Sequence, residues 1–271
     1  MPELPEVETT LRGIEPHLTG RVLSEVLVRR SDLRQEVSPT LSSIEGKAVV
    51  RCWRRSKYLL LEIEDGSTVL IHLGMSGSLR LAMPGEEWKT HDHVAFSIRG
   101  GRQMRFHDPR RFGLVLHLTG EPMDHPLLSS LGPEPLEDGF TASYLHAALS
   151  GRGCAIKLAL MDNKVVVGVG NIYASESLFR AGIRPSLSAK RVSRVKVARL
   201  VSAVREVLAD AIREGGTTLR DFLHADGQPG YFRQRLFVYE RKGEPCRKCG
   251  TEIRQAVMGQ RSTYWCPDCQ K

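Results

Sequence analysis

The chain has 271 residues, 41% of them apolar, and its 39 lysines and arginines outnumber 31 acidic residues, which gives a formal net charge of +8. This length suits one large domain or two ordinary ones. No apolar run reaches the roughly 20 residues that a transmembrane helix requires, and the acidic start is unlike a secretory signal, so we expect a cytoplasmic protein. The basic excess favours a nucleic-acid partner, although a merely basic soluble protein would have the same composition.

The opening stretch, MPELPEVETT, predicts an α-helix that begins almost at the chain terminus. Pro5 suits the first helical turn, and Glu6 and Glu8 favour the positive end of the helix dipole. Apolar side chains then recur at helical spacing, at Val7, Leu11 and Ile14. We expect Pro16 to end or kink this helix because proline has no backbone N–H.

Short strands joined by glycine turns follow the helix. VLSEVLVRR alternates apolar and polar residues. The runs YLLLEI and TVLIHL flank Asp65-Gly66, which predicts a hairpin with a type I′ turn. HVAFSI and QMRFH flank Gly100-Gly101 as a second hairpin. This pattern favours an antiparallel sandwich or barrel.

The composition changes at LGPEPLEDGF, residues 131–140, where prolines and other turn formers predict a linker. Helices are predicted beyond it, one at ASYLHAAL and a longer one that ends at Gly215-Gly216. The longer helix carries an apolar stripe that core packing explains, formed by Val197, Leu200, Val201, Val204, Leu208 and Ile212.

Four of the six cysteines form two pairs near the C-terminus, Cys246-x2-Cys249 and Cys266-x2-Cys269. Two such pairs can supply four thiolates to one tetrahedral Zn²⁺, whereas disulfides are disfavoured in a reducing cytosol. So short a segment cannot build a core of its own, and a site closed by four cysteines is structural. Arg254, Gln260 and Arg261 lie between the pairs, where they can reach a phosphate backbone.

Two further stretches are candidates for chemistry. In VVVGVGNIYASESLF, a glycine turn precedes a helix-like run, so backbone N–H groups and Asn171 are placed to hold a phosphate; a tight turn between helices explains the pattern equally well. At the chain start, removal of the initiator methionine would expose Pro2 as a secondary amine that can attack a sugar carbon and form an iminium. Glu3 and Glu6 would serve proton transfer, but an ordinary capped helix start explains the same residues.

Eight segments in chain order resemble the bacterial formamidopyrimidine-DNA glycosylase family: MPELPEVET, HLGMSGSLR, DPRRFG, LGPEPL, MDNKVVVGVGNIYASESLF, GGTTL, DGQPGYF and the double CxxC. Together they span essentially the whole chain. The related endonuclease VIII shares the N-terminal proline, the helical domain and the zinc hairpin. The ELPEVET start and the HLGMSG stretch are similar to the formamidopyrimidine branch instead.

The resemblance implies an α+β fold in three parts. Residues 1–133 would form the catalytic domain, an N-terminal helix with an antiparallel β-sandwich; residues 134–243 a helix–two-turn–helix DNA-binding domain with a lesion-recognition loop; and residues 244–271 a four-cysteine zinc finger with a β-hairpin. It also implies a monomeric base-excision repair enzyme that acts on double-stranded DNA with oxidised bases or abasic sites. Such an enzyme removes 8-oxoguanine and formamidopyrimidines and cuts the strand by β,δ-elimination, with one structural Zn²⁺ and no organic cofactor.

The resemblance also assigns roles to individual residues. The implied catalytic residues are the nucleophile Pro2, which forms the Schiff base, the acid/base Glu3, a second carboxylate Glu6, Lys57 for β-elimination and the phosphate-gripping Arg261 for δ-elimination. Implied DNA contacts are His91, Arg152 and Asn171, and residues that would enter the duplex are Met75, Arg110 and Phe112. By local rules, Met75 and Phe112 would instead be core residues.

Two departures from the family pattern are present. Arg220, in GGTTLRDFL, lies where the family often has a lysine near the damaged-base pocket, and arginine changes the donor geometry there. GRGC stands before AIK where relatives carry a lysine run, which bears on the role of Arg152. Two alternatives are an endonuclease VIII-like glycosylase that prefers oxidised pyrimidines and a zinc-dependent DNA-binding protein without catalysis.

Overall fold

The computed structural model describes residues 2–83, 85–216 and 235–271. These residues form two compact units. One contains residues 2–129 and 214–216, and the other contains residues 130–213 and 235–271. Within the described ranges, no helix is long and apolar enough to cross a membrane.

Within the part of the chain that the structure describes, the first unit contains one α-helix and eight strands. Their bounds are α1 Leu4–Leu18, β1 Leu23–Val28, β2 Val49–Arg55, β3 Tyr58–Ile63, β4 Thr68–His72, β5 Ser78–Ala82, β6 Asp92–Ile98, β7 Gln103–His107 and β8 Leu114–Leu118, with 3₁₀ helices at Pro39–Ile44 and Pro122–Asp124. The strands form two antiparallel sheets, in the orders β1-β6-β7-β5 and β2-β3-β4-β8.

Apolar side chains from α1 and from both sheets share one buried core, which includes Ile14, Leu59, Ile71, Phe96 and Phe106. Each sheet therefore turns an apolar face towards the other, and the helix covers part of the same core. This arrangement confirms the predicted N-terminal helix and antiparallel sandwich.

Both predicted hairpins are confirmed, since β3 pairs with β4 and β6 pairs with β7, each antiparallel. The turn at Asp65-Gly66 is not type I′, because Gly66 has a positive φ and Asp65 does not, and type I′ needs a positive φ at both central residues. The Gly66 N–H donates to the Ile63 C=O at 2.9 Å, and Asp65 Oδ1 accepts the Ser67 N–H at 2.9 Å. A side-chain hydrogen bond thus fixes a longer loop.

Helix α1 continues through Pro16 to Leu18, so the proline does not end it. Pro16 removes one hydrogen bond from the last helical turn. Ile14 and Leu18 are fully buried on either side of it. Their packing against the core outweighs the lost bond.

The second unit contains four helices and a two-stranded hairpin in the described ranges. Their bounds are α2 Ala142–Leu149, α3 Ile156–Leu160, α4 Asn171–Ala181, α5 Arg194–Arg213, β9 Arg254–Met258 and β10 Arg261–Trp265, with a 3₁₀ helix at Ala189–Arg191. The predicted helices at ASYLHAAL and at the apolar stripe are confirmed, and the stripe is buried apart from half-buried Ile212. Residues 131–140 contain no helix or strand, yet Glu134, Pro135 and Phe140 are buried, so this segment packs into the unit.

The C-terminal hairpin is anchored to α4. Phe179 of α4 shares a small core with Val238, Ile253 and Tyr264. The buried Glu176 accepts hydrogen bonds from the backbone N–H groups of residues 237–239, each at 2.9 Å. Burial raises the pKa of Glu176, and the three N–H donors act against that rise by favouring the ionised form.

Candidate active site and nucleic-acid interface

The chain start is held in place by buried carboxylates. Glu3 is the N-cap of α1, and Oε2 of Glu6 in the first turn accepts the Glu3 N–H at 2.8 Å. Pro2, Glu3 and Glu6 are all buried. Gly216 has a φ of 82°, a left-handed conformation that favours glycine, and a Cβ atom added there would lie 3.1 Å from Oε1 of Glu6. A terminus that is usually frayed is therefore fixed, with two carboxylates close to Pro2 in sequence.

Lys57 is only 7% exposed and lies in the tight turn between β2 and β3. The turn includes Ser56 with a φ of 56°, a left-handed conformation. Arg54 donates from Nη1 to the Ser56 C=O at 2.9 Å and from Nε to Oε2 of Glu8 at 3.0 Å. Arg54 therefore ties the turn that carries Lys57 to the helix that begins beside Glu3.

His72, at the end of β4, is a buried side chain that the sequence analysis missed. Its Nδ1 accepts the Gly74 N–H at 3.0 Å, which places the ring proton on Nε2. Burial, together with the positive charges of Lys57 and Arg34, lowers the pKa of His72 to about 4. The ring is therefore neutral at pH 7. A histidine within an apolar strand has no periodic signal that would mark it as a polar neighbour of Lys57.

Two loops carry the three residues predicted to enter the duplex, and we call them the insertion loops: residues 73–77, with Met75, and residues 108–113, with Arg110 and Phe112. Phe112 is 44% exposed, which differs from the core position that local rules predict. The Arg110 guanidinium lies 5.2 Å from the centre of the Phe112 ring, and Met75 is half-buried.

His91 is exposed beside a buried charge network. Its ring centre is 6.1 Å from that of His93 and 5.9 Å from that of His107. Behind it, the Asp92 carboxylate contacts His107 Nδ1 at 2.9 Å and accepts from Arg80 Nη2 at 2.6 Å. Although burial opposes ionisation, the hydrogen bonds from His107 and Arg80 hold the pKa of Asp92 well below its usual range. The start of β6, next to His91, is thus anchored by a charged network.

The second unit brings Asn171 next to the strand that begins with Arg261. Asn171 is the first residue of α4, and its Nδ2 donates to the Ser262 C=O at 3.1 Å. Lys157, which is 0% exposed, donates from Nζ to Asn171 Oδ1 at 2.5 Å, Thr263 Oγ1 at 2.8 Å and the Ser262 C=O at 3.0 Å. This buried ammonium fixes the Asn171 amide and the start of β10, where Arg261 is exposed. Sequence reasoning missed Lys157, although a lysine inside the apolar run AIKLAL was a usable signal.

Two predicted contacts remain, Arg152 and Arg220. Arg152 donates to Asp162 Oδ2 at 2.8 Å and to the Ala148 C=O at 3.0 Å, and its DNA contact stays a prediction. Arg220 lies outside the described residues.

The four C-terminal cysteines have the geometry of a zinc site. Their sulfur atoms all lie within 4.8 Å of one another. A tetrahedral ion with Zn–S bonds of about 2.3 Å implies sulfur separations of about 3.8 Å, and the 3.9 Å between Cys246 and Cys269 is close to that value. Hydrogen bonding from Thr251 lowers the pKa of Cys249 to about 6, while burial raises the pKa of Cys269. A cation at the centre allows all four to ionise, so these cysteines bind one structural Zn²⁺.

Comparison with protein-family models gives three matches along the chain. Residues 1–115 match the formamidopyrimidine-DNA glycosylase N-terminal domain, residues 131–223 match the H2TH domain of the same enzymes, and residues 243–271 match the zinc finger found in FPG and IleRS. The chain belongs to the formamidopyrimidine-DNA glycosylase family. It is a DNA glycosylase of base-excision repair.

Individual relatives agree over their full length. The formamidopyrimidine-DNA glycosylases of Xanthomonas axonopodis pv. citri and Xanthomonas euvesicatoria pv. vesicatoria are 54% and 53% identical to this chain, with 100% of each sequence covered. The crystal structure of the MutM (Fpg) protein of Thermus thermophilus is 39% identical, with a TM-score of 0.90 over 99% of this chain and 98% of that one. A Lactococcus lactis Fpg mutant in complex with DNA that contains Fapy-dG is 31% identical, with a TM-score of 0.93 over both whole chains.

Proposed function

We propose that the chain is a bifunctional DNA glycosylase and AP lyase that removes 8-oxoguanine and formamidopyrimidines from double-stranded DNA. The observation that carries the proposal is the chain start, where Pro2 precedes a capped helix and buried Glu3 and Glu6 are joined by a 2.8 Å hydrogen bond. Solved relatives include complexes with DNA that contains Fapy-dG, an abasic site or a carbocyclic 8-oxoguanine. These complexes support the choice of substrate.

The proposed chemistry needs a free amine on Pro2, which removal of Met1 provides. The amine lone pair forms a bond to C1′ of the damaged nucleotide, the bond from C1′ to the base breaks, and the base leaves with that electron pair and a proton. Opening of the sugar ring gives an iminium, with Glu3 as the group that moves the proton. Loss of a C2′ proton then expels the 3′ phosphate, a second elimination expels the 5′ phosphate, and water releases Pro2.

The proposed phosphate ligands lie on rigid supports. Lys57 is held by the Arg54 turn, and Asn171 and the start of β10 are held by Lys157. Arg261 is the first residue of β10. His91 and Arg152 are proposed to add contacts along the DNA backbone. Cationic and amide donors fixed in this way can grip the phosphates beside the lesion without reading sequence.

The insertion loops carry side chains that are suited to enter the base stack as a wedge. Extruding a nucleotide costs base stacking, and an apolar side chain placed in the gap offsets part of that cost. The exposed Phe112 and the half-buried Met75 can fill the stack, and Arg110 can donate hydrogen bonds to the orphaned base. Arg220 is proposed to contact the damaged base.

A cytoplasmic location, in association with the nucleoid, is proposed from DNA binding.

Borohydride trapping tests the proposal. The wild type should be trapped covalently on duplexes that hold 8-oxoguanine or an abasic site, and Pro2→Gly should trap far less. A DNA-binding protein without catalysis would give no adduct, and that result would refute the proposal.

Parallel cleavage of 8-oxoguanine and thymine-glycol duplexes tests the substrate class. We expect faster cleavage of 8-oxoguanine. Faster cleavage of thymine glycol would assign the chain to oxidised pyrimidines instead.

A further inference from the structure

Asp108 lies at the start of the second insertion loop, and its buried carboxylate reaches both loops. Oδ2 accepts the Gly113 N–H at 2.8 Å, and Oδ1 lies 3.4 Å from the Ser76 hydroxyl. Gly113 closes the loop that carries Arg110 and Phe112, and Ser76 follows Met75 in the other. One carboxylate therefore connects the two segments that carry all three proposed insertion residues.

The backbone of Asp108 makes a second set of contacts. Its N–H donates to the His91 C=O at 2.9 Å. Its C=O lies 2.9 Å from Nε2 of His93, a ring next to His91. The backbone of Asp108 is thus fixed at the start of β6, through contacts separate from those that its side chain makes with the two loops.

The two loops lie backbone against backbone beside this carboxylate. A Cβ atom added at Gly74 would lie 2.5 Å from the Gly113 nitrogen and 2.5 Å from the Phe112 carbonyl carbon. A Cβ atom added at Gly113 would lie 3.0 Å from Asp108 Oδ2. Such close approach leaves each loop little freedom to shift without the other.

We propose that Asp108 is a positioning residue that holds Met75, Arg110 and Phe112 in a fixed relative arrangement for entry into the duplex. The inference rests on the proposed function, because it concerns the wedge of that same site. Insertion of these side chains has to offset the cost of unstacking. If the loops became ordered only on binding, their loss of conformational entropy would reduce the free energy gained from insertion. A wedge already held in place before DNA arrives avoids most of that loss.

The chemistry of the two contacts distinguishes substitutions at this position. In Asp108→Asn, the amide oxygen can still accept the Gly113 N–H, and the amide NH₂ can donate to the Ser76 hydroxyl. In Asp108→Ala, neither contact can form, and the Gly113 N–H loses a buried partner. The matched control is Asp65→Ala, since Asp65 Oδ1 also accepts from a backbone N–H and a serine hydroxyl, both of Ser67, in the turn before β4.

The experiment compares two substrates for each full-length variant: excision from an 8-oxoguanine:cytosine duplex, and borohydride trapping on a single-stranded abasic oligonucleotide. The single strand has no stack to enter, so trapping on it counts competent Pro2 without the wedge. Asp108→Ala should lower the ratio of duplex excision to single-strand trapping about tenfold, the scale set by one lost buried hydrogen bond. Asp108→Asn should recover most of that loss, and Asp65→Ala should keep the wild-type ratio.

A second readout reports insertion directly. With a fluorescent cytosine analogue opposite a tetrahydrofuran abasic site, wild-type binding should change the fluorescence, and Asp108→Ala at saturation should change it less. An unchanged ratio in Asp108→Ala, which includes an equal loss on both substrates, or a fluorescence change equal to that of the wild type at saturation would overturn the inference. Should the alanine variant fail to fold, Asp108→Glu, which displaces the carboxylate by one methylene, is held to the same criteria. Absence of trapping by the wild type would instead refute the proposed function itself.

Discussion

Replacing Lys157 with methionine removes a buried ammonium and keeps an unbranched side chain of similar length. The ammonium donates to Asn171 Oδ1, Thr263 Oγ1 and the Ser262 C=O, at 2.5, 2.8 and 3.0 Å. Methionine fills the space but leaves these acceptors without that donor. The second unit should therefore lose both stability and the fixed orientation of Asn171.

The magnitude follows from the three contacts. A hydrogen bond to a charged group contributes about 1.5–3 kcal/mol, so three such bonds set an upper limit of about 9 kcal/mol. Removing the charge also removes its own desolvation cost, whereas each buried acceptor left without a donor costs about 1–3 kcal/mol. We expect Lys157→Met to lower the free energy of unfolding by about 3 kcal/mol.

Urea unfolding followed by circular dichroism measures this loss, and Lys164→Met is the control because Lys164 is exposed nearby in the chain. Binding to an abasic-analogue duplex should weaken about tenfold as Asn171 loses its orientation. Trapping at saturating DNA should persist, since Pro2 belongs to the other unit. A loss of stability below about 1 kcal/mol, or a defect in saturated trapping equal to that in binding, would refute the reasoning.

Three further predictions concern acid, zinc and salt. The pKa of His72 is about 4 in the folded chain, against 6.5 for an unperturbed histidine. The unfolded chain therefore takes up the proton first, and the free energy of unfolding should fall by about 3 kcal/mol as the pH drops from 6.5 to 4. In urea titrations, His72→Asn should show a smaller loss over the same pH range. Chelation of zinc, or Cys249→Ser, should weaken DNA binding while the circular dichroism of the β-sandwich persists; unaltered binding would contradict the role of the finger. The logarithm of the binding constant should fall linearly with the logarithm of salt concentration, and Arg261→Gln should reduce the slope by about 0.9; a flat response would exclude a phosphate-dominated interface.

Local patterns predicted much of the fold. The apolar stripe of α5 and the alternation in both hairpins depend on neighbours a few residues away, so the sequence alone was enough. The predicted type I′ turn at Asp65-Gly66 was wrong because the Asp65 side chain accepts a hydrogen bond from the Ser67 backbone N–H. The prediction that Pro16 would end α1 was wrong because the buried Leu18 keeps the helix packed against the core beyond the proline.

The site was predictable only in part, for a physical reason. Lys157 and Asp108 act through partners that lie far away in sequence, such as Ser262 for Lys157 and Ser76 for Asp108. A single sequence does not show which polar side chains are buried together. Exposure at Phe112 was misjudged for a related reason, since hydrophobicity favours the core unless a loop is built to present the ring.

The attachment point of the DNA tests the central claim most directly. After borohydride reduction on abasic-site DNA, digestion with nuclease and trypsin followed by mass spectrometry locates the adduct. We predict a sugar remnant on the nitrogen of Pro2, in the peptide that runs from Pro2 to Arg12. An adduct on a lysine such as Lys57, with the peptide that begins at Pro2 unmodified, would contradict the proposed mechanism.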